Sequence, residues 1–98
     1  MDHSTHIRLN EDELTEAVLT GATVFGPGNE RIGHVSRVYG GGADIHVVID
    51  VGGFLGIGSK PVAVPARDLD FMRDGSNSVH ALTRWTKDEL KEMPQYVE

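Results

Sequence analysis

Asp44-Ile45-His46-Val47-Val48-Ile49-Asp50-Val51 is the stretch whose reading decides the fold. Ile45, Val47, Ile49 and Val51 recur at every second position. His46, Val48 and Asp50 fill the places between them. A period of two belongs to a β-strand, whose successive side chains point to opposite faces. One face is continuously apolar, so it is expected to lie on a core. The apolar-rich run from Ile45 to Leu55 is too short to cross a bilayer and carries His46 and Asp50.

Reading toward the C-terminus, the glycine-rich stretch from Gly52 to Ser59 follows this strand. Val62 and Val64 mark a short strand between Pro61 and Pro65, and the two prolines confine it to an edge or to strand ends. Leu69 and Phe71 mark another. Asp74-Gly75-Ser76-Asn77 has the residues of a hairpin turn, and Ser78–Arg84 is the strand after it. Thr86 with Glu89 forms a capping box opening a short helix. Leu90 and Met93 give that helix a small apolar face, and Pro94 stops it. Trp85, where strand meets helix, reads as a hinge-packing residue.

Reading toward the N-terminus, Gly40-Gly41-Gly42 is a turn and Ile32–Tyr39 a strand. Its apolar positions, Ile32, Val35 and Val38, break strict alternation and predict a bulge near Ser36-Arg37. Gly26-Pro27-Gly28-Asn29 is a turn and Ala22–Phe25 a short strand. The first eighteen residues read as an extension. Acidic Asp2, Glu11, Asp12, Glu13 and Glu16 face a single base, Arg8. Asn10 followed by Glu13 suggests a marginal helix over 10–18, with Leu14, Ala17 and Val18 on one face, behind a disordered tip at 1–8.

The expected fold is therefore all-β. It is a small barrel of about six strands with a short C-terminal helix, spanning 19–98. The expected core is Val24, Ile32, Val35, Val38, Ile45, Val47, Ile49, Val62, Val64, Leu69, Phe71, Val79 and Leu82. Gly33, Gly52 and Gly53 are expected where strands bend or backbones approach closely.

Composition narrows the function. At 98 residues the chain suits one domain. Its net charge is −6, with only nine Lys and Arg, which speaks against nucleic acid and against an anionic membrane surface. There is no cysteine, so disulfides, thiol catalysis and thiolate metal sites are excluded. Residues 1–6 hold neither a basic nor an apolar leader region, and a cytoplasmic protein is expected.

Chemistry-bearing patterns are sparse. The stretch from Gly53 to Lys60 resembles a phosphate loop only superficially. Ser59 precedes Lys60 instead of following it, and Pro61 opens a strand instead of a helix. His34, His46 and His80 fall in mid-strand and would make a zinc site only if they converged on one face. His3 and His6 lie in the acidic tip. No Gly-x-Ser-x-Gly elbow is present. Asp50 paired with His46 or His80 would be the arrangement for a hydrolase, but alternation makes Asp50 an outward, solvated residue. No catalytic, metal or cofactor residue is assigned.

Several of these residues also form a pattern. Gly21-x-x-Val24, Glu30-x-Ile32-Gly33-x-Val35, an apolar strand ending in Gly52-Gly53, Val62-x-Val64-Pro65 and Leu69 together resemble the PRC-barrel family. That family takes its name from the cytoplasmic domain of the photosynthetic reaction-centre H subunit. It also includes the C-terminal domain of a ribosome maturation factor. Gly52 to Gly58 with Lys60, and the segments from Thr86 to Leu90 and Met93 to Tyr96, resemble its small stand-alone bacterial members. The resemblance covers roughly residues 19–98. It implies a small β-barrel that works as an adaptor in assemblies and carries no shared catalytic set.

The expected function is a non-enzymatic protein-interaction or assembly module. The alternative is a small-molecule or metal-binding sensor that uses the barrel mouth. The expected contact site is the loop from Gly52 to Lys60. Phe54, Leu55 and Ile57 sit there among glycines that include Gly53 and Gly56. Either these side chains plug one end of the barrel, or they form an apolar patch that pairs two copies about a two-fold axis, with Phe54 as anchor.

Overall fold

The computed structural model describes residues 7–8, 15–40, 44–52, 59–76 and 78–97. Its strands are β1 (Ile7–Arg8), β2 (Thr23–Phe25), β3 (Arg31–Tyr39), β4 (His46–Val51), β5 (Lys60–Pro65), β6 (Asp70–Arg73) and β7 (Val79–Leu82). Its α-helices are α1 (Glu16–Leu19) and α2 (Lys87–Lys91). The strands form one mixed sheet in the order β1-β6-β7-β2-β3-β4-β5. All pairings are antiparallel except β2 with β7, which run parallel. Among the described residues no ladder joins β1 to β5, so the sheet is barrel-like without closing. It nevertheless wraps a single core. Val62 and Val64 from one end of the strand order share a cluster with Phe71 from the other.

Alternation in β4 produces that core directly. Val47, Ile49 and Val51 face inward and are fully buried. They pair with Val38, Val35 and Gly33 on β3 and with Val64, Val62 and Lys60 on β5. The register of β3 on β4 shifts between Val35 and Arg37, which makes Ser36 the extra residue of the expected bulge. The shift returns Val38 to the core side, where it is 7% exposed.

Ten of the expected core residues are buried, and Ile45 and Val79 pack partly buried against them. Leu82 does not join. It pairs with Phe25 and Asp70, whereas Ala81 pairs with Val24 and Phe71 and is fully buried. An odd offset of three from Val79 puts Leu82 on the opposite face of the strand. Leu19, Ala22, Val51, Ala66 and Leu90 complete the cluster.

The N-terminal segment departs from expectation. The described helix starts at Thr15, whose Oγ1 accepts from the Val18 N–H at 3.4 Å. Leu19 anchors it in the core and Ala17 is exposed. Asn10, Glu13 and Leu14 lie outside the described residues. Ile7 and Arg8, expected in a disordered tip, pair with Arg73 and Met72 at the edge of β6.

Candidate interaction surface

The expected contact loop is held at both ends. β4 finishes at the fully buried Val51, and Gly52 turns the chain with φ +73°. That value lies in the left-handed region, which glycine enters without steric cost. β5 resumes at Lys60. Phe54, Leu55, Ile57, Gly53 and Gly56 lie outside the described residues.

The barrel end beside this loop is filled by α2. The helix start is fixed by the expected capping box. Thr86 Oγ1 accepts from the Glu89 N–H at 3.1 Å, and Glu89 Oε1 accepts from the Thr86 N–H at 2.9 Å. Glu30 adds a tether distant in sequence by accepting from the Lys87 N–H at 3.2 Å. Trp85 packs against the core at the hinge as expected. Leu90 is then driven into the core and is fully buried, a gain of roughly 1.5–3 kcal/mol for a side chain of this size. The last turn of α2 rests on the two loop ends. The Lys60 ammonium donates to the Lys91 carbonyl. A Cβ built on Gly52 would lie 3.2 Å from Lys91 Cε.

The outer face of β3–β5 is the second notable region. Outward residues run in rows across the strands: Pro61–Asp50–His34–Thr23–His80–Met72 in one, and Pro65–His46–Tyr39 in another. His34 Nε2 lies 3.6 Å from Asp50 Oδ2, and Ser36 Oγ lies 3.1 Å from Asp50 Oδ1 and 3.3 Å from the Val48 carbonyl. Asp50 therefore stands between the serine and the histidine. In a Ser–His–Asp triad the histidine stands between, so that it can take the serine proton. Here the Ser36 hydroxyl donates to the carboxylate itself, so the order of that triad is not reproduced.

The histidines do not converge. His46 lies one row apart from His34, with its Nδ1 2.7 Å from the Asp44 carbonyl. A carbonyl only accepts, so Nδ1 carries the proton there. His80 is separated from His34 by Thr23 in its row and meets Phe25 edge-on at 6.0 Å. Neither His46 nor His80 is brought to Asp50. Among the described residues no group of three His, Asp or Glu could hold a metal ion. His3 and His6 lie outside them.

One feature of this face is absent from the sequence reading. Val48 alternates outward yet is only 2% exposed, and it does not belong to the core cluster. It lies in a groove of about 560 Å³ with Ser36, Arg37, Pro61 and Tyr96. The C-terminal segment crosses here. The Tyr96 N–H donates to the Pro61 carbonyl at 2.7 Å, and its ring stacks on Tyr39 with centroids 5.6 Å apart. Tyr39 in turn stacks on His46 at 5.2 Å. One hydrogen bond and one ring pair are each worth only about 1 kcal/mol, so the attachment is weak. The signal available in the sequence was the apolar Val48 on an otherwise polar face.

No helix among the described residues is long and apolar enough to cross a membrane. Comparison with curated protein sequences finds no match. The model of the PRC-barrel domain matches residues 11–85. That match spans most of the chain and includes every strand from β2 to β7, and the sheet wraps the core that the family resemblance implies. The chain belongs to the PRC-barrel family.

Proposed function

We propose that this protein is a non-enzymatic interaction module of the cytoplasm, and that it pairs with a second copy of itself through the apolar loop between β4 and β5. The observation that carries the reading is the occupancy of the adjacent barrel end. Leu90 already fills it, and Lys60 and Lys91 close over the loop ends. A barrel end already taken by Leu90 supports a loop whose apolar side chains are buried against a partner. Apolar side chains without an interior place gain roughly 1.5–3 kcal/mol each by burial against a partner. Three on one loop make a patch of the kind that marks interfaces.

His34 lies beside Asp50 and Ser36 donates to the same carboxylate, so no Ser–His–Asp relay is assembled here, which supports the non-enzymatic part.

Sedimentation velocity tests the pairing. The wild type is expected to sediment as a dimer at tens of micromolar, and Phe54→Ser as a monomer with an unchanged melting temperature. A wild type that stays monomeric at millimolar concentration, or a Phe54→Ser variant that unfolds, would defeat the proposal in favour of a plug. Native mass spectrometry on untagged protein addresses the sensor alternative. A stoichiometric metal or small molecule would favour that alternative over an adaptor.

A further inference from the structure

The C-terminal segment crosses the outer face of β3–β5, and Tyr96 forms one wall of the groove there. We propose that this groove is a docking site for an extended polypeptide segment of a partner chain that carries an aromatic side chain, and that Tyr96 narrows it in cis as a displaceable strap.

The chemistry of the site follows from the segment that borders it. The Tyr96 N–H donates to the Pro61 carbonyl, so that carbonyl faces away from β4. Alternation aims the main-chain groups of Ala63 and Pro65 the same way. Among the described residues β5 ends the strand order, and its outer edge presents three carbonyls and one amide, because prolines 61 and 65 have no N–H. Such an edge takes a donor from an incoming segment but cannot build a continuous ladder. Recognition then rests on the ring. Tyr39 and His46 form a stacked platform, and His46 is fixed by its Nδ1–H to the Asp44 carbonyl. Val48 supplies an apolar floor.

The strap is poised to leave. Pro94 and Gln95 are exposed, and Val97 is 78% exposed. Tyr96 makes the one backbone hydrogen bond found for this segment among the described residues. A tethered segment competes at an effective concentration on the order of millimolar, so an outside segment meets a partly closed groove. Removing the Tyr96 ring should open the groove without shortening the chain.

The test uses the full chain with Tyr96→Ser and, as probe, a fluorescent peptide of residues 93–98 added in trans. Anisotropy is expected to give saturable binding to the Tyr96→Ser chain, and binding to the wild type weaker by at least about tenfold. A probe with serine in place of its own tyrosine should not bind. Backbone amide shifts in the Tyr96→Ser chain should move at Val48, Tyr39 and Ala63. Absence of saturable binding to the folded Tyr96→Ser chain at millimolar probe would overturn the proposal. Equal binding to wild type and variant would overturn it too, as would binding indifferent to the probe's tyrosine. None of these readouts depends on the β4–β5 loop, so the outcome is independent of the dimer measurement.

Discussion

Gly33 is the position where a single missing atom matters most. A Cβ there would lie 1.9 Å from the Asp50 carbonyl oxygen and 2.9 Å from its carbon. Both are backbone atoms of the neighbouring strand, so neither can swing aside. Gly33→Ala must push β3 away from β4. We expect a loss of about 2–3 kcal/mol, in the range of overpacked interiors. Urea denaturation should show a lower midpoint with an unchanged slope. A loss below about 0.5 kcal/mol would contradict the close approach. A glycine inside an apolar strand pattern already marks such a place, and Gly33 was legible for that reason. The burial of Val48 was not, because the residues around it, Glu16, Thr20 and Tyr96 among them, come from distant parts of the chain. Alternation assigns a face, and it says nothing about what later crosses that face.

At the scale of elements, α2 is the piece that shapes the function. It has only five residues, too few to hold a helix by itself. Its stability comes from the capping box and from Leu90. Leu90→Ala should cost about 2–5 kcal/mol, as for other large-to-small core changes. Thr86→Ala should cost about 1 kcal/mol. Thermal or urea unfolding reads both, and a Leu90→Ala cost no greater than that of Thr86→Ala would mean that Leu90 does not fill the barrel end. Sequence made this helix readable through Thr86, Glu89 and Pro94, and made the Ser36 bulge readable through the broken spacing of Ile32, Val35 and Val38. It did not tell which barrel end α2 covers, since an apolar position names a side chain and not its socket. α1 was harder. Four helical residues carry no periodic signal, so Asn10 and Glu13 drew the expected start upstream of Thr15 and left Leu19 unrecognised as the anchor.

The whole molecule is held by contacts that join distant parts of the chain. The hairpins β3–β4, β4–β5 and β6–β7 follow from local turn chemistry. The parallel pairing of β2 with β7 does not, and it is what brings the two halves of the sheet around one core. The strands from β2 to β7 and most of the core were therefore legible, while β1 and the strand order were not. The candidate site was legible only as an oily loop among glycines. Whether that loop faces a partner or its own interior turns on where α2 lands. Because the chain has no cysteine, a single engineered thiol reports on this directly. The decisive measurement is the rate of maleimide labelling of Leu55→Cys in reductant, across dilutions that span the dimer equilibrium. The pairing described here predicts fast labelling in dilute solution, slowing by at least about tenfold as concentration rises and the loop is buried between copies. Slow labelling at every dilution would place Leu55 inside its own barrel and contradict it.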